Sequence, residues 1–472
     1  MSSIHFGTGG WRAIIGDDFI KSNIQALSRA LARKMKDEGV AGHGFVVGYD
    51  RRFLSKDAAI WVAQAMAAEG IVCRLITREA PTPLVMFTVK NYGMDYGMAI
   101  TASHNPYAYN GIKVFIRGGR DADEATTADI EARIDALAAE PVISMDYEKA
   151  RQKGLILEIN PTNEYIDSII QSVDMNAIRA KDLHVVLDPM YGVSRTSLST
   201  ILLTARCDVD VIHDRHDTLF GGRLPAPSEM TLSSLRSFVL EHHCDIGLAT
   251  DGDADRIGVV DEKANFLHPN QILVLLYYYL LKYKGWHGPA VRNLATTHLL
   301  DKVAAAFGEA CYEVPVGFKH ISAKMLQTNA LIGGESSGGL TVRGHIQGKD
   351  GIYAAALLVE MLAVTGQSLS EIYRQITDEF GSFFMAERDY RFPGARKAEI
   401  YEQLMEKREL PEFGQPIDRI SYQDGCKVYF QNGGWIICRF SGTEPLIRIF
   451  CEQDDMGRAQ VICDVMKEFL KL

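Results

Sequence analysis

From residue 20 onward the apolar positions of the chain switch between two spacings. Ile24, Leu27, Leu31 and Met35 fall on one face at helical spacing and predict a helix that ends at Gly39. The unbroken apolar run 45–49 then predicts a buried strand. A second helix is expected over 55–69, stopped by Gly70, with a strand over 71–76. Thr82-Pro83 opens a third helix, Thr82 as its N-cap and Pro83 at the first helical position. Helices alternating with short buried strands predict an α/β domain with a largely parallel sheet.

Similar cycles recur. Runs 183–187 and 209–212 read as strands of a second unit, and the helix over 271–282 with the segment 312–316 belongs to a third. Each unit contains a short apolar strand, a polar glycine-bearing loop and another apolar strand: 97–100/101–110/111–116, 246–249/250–256/257–260 and 330–332/333–339/340–342. The last ninety or so residues differ. Runs 427–430 and 435–438 flank Asn432-Gly433 and predict a hairpin, followed by a strand over 446–450 and a closing amphipathic helix. The expected organisation is three similar α/β domains with mixed, largely parallel sheets plus a smaller C-terminal α+β domain, arranged around a central cleft. The boundaries fall at 1–160, 161–262, 263–380 and 381–472.

Composition narrows the partners. A formal net charge of −10 over 472 residues argues against nucleic acid, so an anionic ligand must be met by local Arg and Lys clusters. Eight scattered cysteines show no zinc spacing and read as reduced core residues. The longest apolar run, 272–281, is too short for a bilayer, and no signal-peptide pattern opens the chain, so a cytoplasmic protein without membrane contact is expected, as a monomer or homodimer.

Chemistry concentrates in the polar loops. Thr101-Ala102-Ser103-His104-Asn105-Pro106 sets a hydroxyl, an imidazole and an amide just past an apolar strand, with Asn105-Pro106 and Asn110-Gly111 expected to hold a tight turn. Ser103 is a candidate nucleophile. Asp251-Gly252-Asp253-Ala254-Asp255-Arg256 brings three carboxylates to one turn, which calls for a hard divalent cation. Glu262 sits at the twelfth position of a calcium loop, but Arg256 stands where that loop needs glycine and a strand precedes where a helix is required. Mg²⁺ with open positions for phosphate oxygens fits better. Arg439-Phe440-Ser441-Gly442-Thr443-Glu444-Pro445-Leu446-Ile447-Arg448 holds the donors of a phosphate cradle. Residues 333–339 are too glycine-rich for a strand, and expose Glu335 and Ser337 to a polyhydroxylated ligand. Arg12, Lys113 and Lys319 each stand beside a glycine turn.

Taken in order, these runs resemble the α-D-phosphohexomutases, in the phosphoglucomutase/phosphomannomutase branch, over essentially the whole chain. The T-A-S-H-N-P, D-G-D-x-D-R and R-x-S-G-T-E-P-x-x-R runs carry the likeness. The resemblance implies that Ser103 carries the phosphoryl group and that Asp251, Asp253 and Asp255 bind Mg²⁺ with the phosphoserine as a further ligand. It points Arg256 at the reacting phosphate and gives sugar recognition to Glu335 and Ser337. Arg439, Ser441, Gly442, Thr443 and Arg448 would hold the phosphate that is not transferred. Arg12, His104, Lys113 and Lys319 match active-site cations and acid/base groups, with the proton acceptor open among Lys113, Lys319 and His104.

The implied reaction interconverts hexose 1- and 6-phosphates through a phosphoserine and a 1,6-bisphosphate, with glucose 1,6-bisphosphate as activator and glucose as the expected sugar. Phosphomannomutase or dual specificity is the alternative within the class. A non-catalytic sugar-phosphate binder would need neither Ser103 nor the three aspartates. A serine hydrolase lacks both a G-x-S-x-G elbow and an evident acidic partner for His104. Ser336 replaces a longer acidic or amide side chain usual in the sugar loop, and no histidine directly follows that loop. The opening Gly9-Gly10-Trp11-Arg12 departs from the Asp-Gly-Ile-Arg of phosphoglucosamine mutases, which disfavours an amino sugar.

Overall fold

The computed structural model describes residues 4–7, 9–141, 143–440 and 446–472. The chain divides into two compact units, 1–272 with 337–370, and 273–336 with 371–472. The first unit contains two sheets. In one, Trp11–Ile14, Tyr109–Ile116, Tyr96–Ile100, Phe45–Tyr49, Cys73–Ile76 and Ile156–Ile159 lie side by side. The last four are parallel, while Tyr109–Ile116 runs antiparallel to both its neighbours. Every residue of Phe45–Tyr49 and Tyr96–Ile100 is buried, under the helices Ser55–Ala68 and Thr82–Asn91. Parallel strands need such crossover helices, which is why these strands read as unbroken apolar runs.

The other sheet runs Phe266–Leu267, Ile257–Val260, Ile246–Thr250, His184–Asp188, Asp208–Val211. Its last three strands are parallel, and Ile257–Val260 turns back antiparallel on Ile246–Thr250. The helix Gly351–Thr365 packs on this sheet, buried from Gly351 through Ala363 and capped by Asp350, whose side chain accepts from the Ile352 and Tyr353 amides.

In the second unit Ala290–Asn293 is flanked by parallel Cys311–Val314 and Ile332–Gly334, with the helix Phe318–Thr328 packed on all three. Its other sheet is antiparallel, in the order Phe384–Arg391, Leu446–Gln453, Trp435–Phe440, Cys426–Phe430, Ile417–Ser421, and the helix Met456–Phe469 covers its core. A buried polar cluster lies within this unit. Lys427, 1% exposed, donates to Leu294 O and Glu313 Oε2, each at 2.7 Å. Tyr429 and Arg292 also bond Glu313, and His298 Nε2 lies 3.2 Å from the Lys427 ammonium.

The helices, the buried strands and the Asn432-Gly433 hairpin form where the pattern predicts them. Three local expectations fail. Thr82 is not an N-cap: Pro81 holds that place, and the Thr82 hydroxyl is committed elsewhere. Asn110-Gly111 is not a turn but lies inside the strand Tyr109–Ile116, where Asn110 Nδ2 anchors Phe53 O and Ser55 Oγ. Gly333-Gly334 is strand, not loop. A Cβ on Gly333 would sit 2.4 Å from Met325 Sδ and one on Gly334 2.6 Å from a Leu273 methyl, so these glycines let helices close on the sheet.

All eight cysteines are unpaired thiols, seven of them buried. Among the described residues no single helix is long and apolar enough to cross a membrane. The helices Gly351–Thr365 and Leu369–Phe380 pass that test only as a pair, and the first is core.

Candidate active site

The site in the first unit begins with a backbone clamp. Arg52, 3% exposed, donates to the carbonyls of Ser103 and Asn105 at 2.7 Å and of Pro106 and Tyr109 at 2.9 Å, and so fixes the whole loop after Tyr96–Ile100. Asp50 lies 3.3 Å from Arg52 Nε and accepts the Thr101 hydroxyl at 2.7 Å, while Thr101 Oγ1 takes the Ser103 amide at 2.9 Å. Ser103 is held at φ 53°, a left-handed conformation costly for a serine and sustained by these bonds. Its hydroxyl is thereby aimed: Ser103 Oγ donates to Asp251 Oδ2 at 2.6 Å, whereas His104 Nδ1 is 3.4 Å away. Ser103 thus pairs with a carboxylate of the acidic loop rather than with a histidine base.

That acidic loop closes the strand Ile246–Thr250. Asp251, Asp253 and Asp255 are all fully buried, and a ligand oxygen from each lies within 4.8 Å of the others. Gly252 permits the approach, since a Cβ there would meet Ser103 O at 2.8 Å. The returning segment braces the loop from the other side. Ile257 N donates to Gly338 O at 3.0 Å and Gly351 N to Ala254 O at 3.1 Å, and Lys349 Nζ lies 3.0 Å from Asp255 Oδ2.

Three buried carboxylates repel unless cations or protons intervene. Lys113 Nζ donates to Asp253 Oδ2 and Asp255 Oδ2, both at 2.6 Å. Burial pulls the Lys113 ammonium down, but Asp253 and Asp255 outweigh it and hold it above its ordinary range. Burial likewise lifts Asp255, and Lys113, Lys349 and Arg256 reverse this to hold it well below the carboxylate range. Asp251, pushed up by burial and then by Asp253 and Asp255, stays above it. Arg256, burial and Arg12 together keep the His104 imidazole well below its usual range. Arg256 N donates to Asp251 Oδ1 at 3.1 Å, and Arg12 Nη1 to Asn105 Oδ1 at 2.6 Å.

These residues suit a divalent cation on a specific observation. Lys113 takes the Oδ2 oxygens of Asp253 and Asp255, yet the Oδ1 oxygen of each is buried with no hydrogen-bond partner. A buried carboxylate oxygen left bare costs stability, and hard oxygen donors on clustered aspartates are the donor set of Mg²⁺.

The second unit holds the other candidates. Glu335 Oε1 accepts from Asn293 Nδ2 at 3.0 Å and from Gly317 N at 3.1 Å, two residues before Lys319 in the first turn of Phe318–Thr328. Arg439 and Arg448 are cross-strand partners in the antiparallel pair Trp435–Phe440 and Leu446–Gln453. Arg439 Nε donates to Asp424 Oδ1 at 2.9 Å, and Arg448 Nε lies 3.8 Å from Asp389 Oδ1. Ser441, Gly442 and Thr443 lie outside the described residues.

Of the residues singled out from sequence, Arg12, Ser103, His104, Lys113, the three aspartates and Arg256 come together in the first unit. Ser337 is an exposed residue of the same unit, beside Gly338. Glu335, Lys319, Arg439 and Arg448 belong to the second unit. Three contributors were missed: Arg52, Thr82 and Lys349. Arg52, directly after the buried strand Phe45–Tyr49 in an Asp-Arg-Arg run, carried a readable signal. Thr82 and Lys349 carried none, because each reaches the acidic loop from far away in sequence.

Four family models match the chain in order: phosphoglucomutase/phosphomannomutase alpha/beta/alpha domain I at 3–140, domain II at 163–264, domain III at 268–380 and the C-terminal domain at 392–468. A phosphoglucomutase/phosphomannomutase of Thermococcus kodakarensis is 31% identical over 462 residues, with 96% of each chain covered. A "Probable phosphoglucosamine mutase" of Pyrococcus abyssi is 30% identical, covering 99% of this chain and 98% of its own. Among solved structures, a Thermus thermophilus protein assigned by name to phosphomannomutase superposes with a TM-score of 0.87 at 27% identity, over 100% of this chain and 99% of its own. The Paramecium phosphoglucomutase parafusin, at 22% identity, shares the fold with a TM-score of 0.81, over 99% of this chain and 93% of its own.

Proposed function

The chain belongs to the phosphoglucomutase/phosphomannomutase family, three α/β domains followed by a C-terminal domain, and on that premise we propose that this phosphohexomutase acts on glucose 1- and 6-phosphates through a phosphoserine at Ser103. The observation that supports this most directly is the buried Ser103 hydroxyl, 2.6 Å from Asp251 Oδ2 in a cluster of three aspartates, two of which, Asp253 and Asp255, keep a buried Oδ1 without a hydrogen-bond partner.

Ser103 carries the phosphoryl group, and the free hydroxyl of the bound sugar phosphate attacks its phosphorus. The new P–O bond forms as the bond to Ser103 Oγ breaks, and Oγ leaves with the electron pair. The proton lost by the attacking hydroxyl balances that charge, passing by way of Lys319 or His104; Lys113, open as an acceptor on sequence grounds, is an ammonium committed to Asp253 and Asp255 and has no lone pair to receive it. The sugar is then a 1,6-bisphosphate. When it rebinds end for end, its other phosphate returns to Ser103. Asp251, Asp253, Asp255 and an oxygen of the phosphoserine would hold Mg²⁺, which when bound supplies charge neutralisation at the transferring phosphoryl group. Arg256 and Arg12 add positive charge on the protein's side, and Arg52 keeps the loop from recoiling. Glu335 and Ser337 are the residues assigned to recognition of the sugar hydroxyls. Arg439 and Arg448, with Ser441, Gly442 and Thr443, hold the phosphate that stays in place. Glucose 1,6-bisphosphate serves as the activator that charges Ser103.

Glucose is preferred because the opening Gly9-Gly10-Trp11-Arg12 departs from the amino-sugar pattern. Mannose is the alternative within the class. Relatives named phosphoglucosamine mutases support a second reading, in which the amino sugar is the substrate. The test is peptide mass spectrometry after incubation with glucose 1,6-bisphosphate and Mg²⁺, followed by challenge with the 1-phosphates of glucose, mannose and glucosamine. A phosphoryl group gained on Ser103 and lost fastest to glucose 1-phosphate is expected. No phosphate on Ser103 in any arm would refute the mechanism, and fastest loss to another sugar would refute only the preference for glucose.

A further inference from the structure

Asp424 makes two bonds that no candidate site residue predicts. It lies in the turn between Ile417–Ser421 and Cys426–Phe430, with Gly425 beside it at φ 88°. One carboxylate oxygen, Oδ1, accepts from Arg439 Nε at 2.9 Å. The other, Oδ2, accepts from the backbone amide of Val316 at 2.9 Å. The next amide along, Gly317 N, donates to Glu335 Oε1. One carboxylate therefore ties the guanidinium expected to hold phosphate to the backbone that orients the carboxylate expected to hold sugar.

The geometry suits binding. Asp424 holds Arg439 through its Nε, and the guanidinium edge formed by the two terminal nitrogens is the arrangement that matches two phosphate oxygens. An arginine on a flexible stem loses rotamer freedom when it binds an anion, and a partner that fixes the fork beforehand lowers that cost. Both side chains are about four-fifths buried, Asp424 24% and Arg439 21% exposed, so the bond is sheltered from solvent screening.

We propose that Asp424 is a positioning residue: it pre-sets Arg439 for the non-transferred phosphate and couples that arginine to the Val316–Gly317 backbone beneath Glu335. This rests on the reading of Arg439 as a phosphate ligand in the mutase reaction. The test compares full-length Asp424→Asn, Arg439→Lys and the double variant. Steady-state kinetics on glucose 1- and glucose 6-phosphate are joined by calorimetric titration with inorganic phosphate, which needs no turnover. Asp424→Asn should raise KM about tenfold for both substrates and weaken phosphate binding about as much, with kcat and the thermal midpoint little changed. The double variant should be no worse than Arg439→Lys alone, because Asp424 acts through Arg439. Unchanged KM and phosphate affinity in Asp424→Asn, or additive losses in the double variant, overturn the proposal. A lowered thermal midpoint with kcat falling in step makes Asp424 structural and also overturns it. A wild-type chain inert on every hexose phosphate refutes the mutase reading, while the phosphate titration still decides the role of Asp424.

Discussion

Thr82 gives both of its polar hydrogens to Asp253: its amide donates to the Asp253 carbonyl at 2.9 Å and its hydroxyl to Asp253 Oδ2 at 2.6 Å. The start of the helix Thr82–Asn91 is thereby fastened to the acidic loop, with Asp253 Oδ2 held while its Oδ1 has no hydrogen-bond partner. Thr82→Val keeps the shape and removes the hydroxyl bond. Loss of an outer hydrogen bond to a metal-ligating carboxylate typically costs ~10–100-fold in affinity. We expect the Mg²⁺ concentration for half-maximal activity to rise by about tenfold, with Mn²⁺ binding followed by electron paramagnetic resonance weakening in parallel. Unaltered Mn²⁺ affinity would remove Thr82 from the site.

Lys349 poses a charge problem that metal can solve. Its ammonium lies 3.0 Å from Asp255 Oδ2, the oxygen that Lys113 also bonds. Lys349→Met keeps the buried stem and deletes the charge, leaving three buried aspartates with one cation fewer. Breaking one partner of a buried pair costs about 3 kcal/mol. Chemical denaturation in EDTA should show a loss of that order, and saturating Mg²⁺ should restore more stability to the variant than to the wild type. Equal metal-induced stabilisation of the two proteins would show that Lys349 carries none of the balance.

Much of this was legible before the structure. Strands Phe45–Tyr49 and Tyr96–Ile100 are buried on both faces, so their unbroken apolar runs announced them, and the acidic loop follows its strand as its spacing implied. What misled was a polar side chain with two possible uses. Thr82 before a proline reads as a helix cap, whose oxygen would accept from helix amides, but its hydroxyl instead donates to a carboxylate 171 positions away. Gly333-Gly334 reads as loop because glycine weakens strands, and nothing local reveals that Met325 and Leu273 will press on them. Arg52, Lys349 and Asp424 act across the fold. Periodicity reports which face a residue occupies, never which distant atom it will meet.

The buried Lys427 predicts a pH dependence outside the reaction. Burial first, then Arg292, pull its ammonium from an ordinary 10.5 down to about 7 despite Glu313 and Glu452. His298, lowered by burial and Arg292 to about 4, faces it as a neutral ring, and Tyr429 and Trp435 lie under it. Between pH 7 and 10.5 the unfolded chain holds a proton that the folded one lacks, so stability rises with pH across that window, and the full penalty stands below it. The slope from this one group is at most about 1.4 kcal/mol per pH unit. Urea denaturation at pH 7, 8 and 9 should show wild type gaining on Lys427→Met at each step. Parallel curves would mean that the ammonium is as comfortable folded as unfolded.

Arg439 and Arg448 face each other across two antiparallel strands, a like-charged pair that costs stability unless an anion lies between. Asp424 compensates the first, but Arg448 is 46% exposed and 3.8 Å from Asp389, an ion pair of little worth in water. Arg448, opposite Arg439 and only weakly paired, is the second arginine proposed to meet the phosphate with its charge. Arg448→Ala separates the two effects. Removing the repulsion should leave urea stability unchanged or raise it by a few tenths of a kcal/mol. Removing the phosphate contact should raise KM for glucose 1-phosphate by about tenfold or more, a charged hydrogen bond being worth about 1.5–3 kcal/mol. Inorganic phosphate, which should stabilise the wild type against urea, should stabilise the variant less. A variant that loses stability while keeping its KM would place Arg448 in the scaffold and take the phosphate away from this pair.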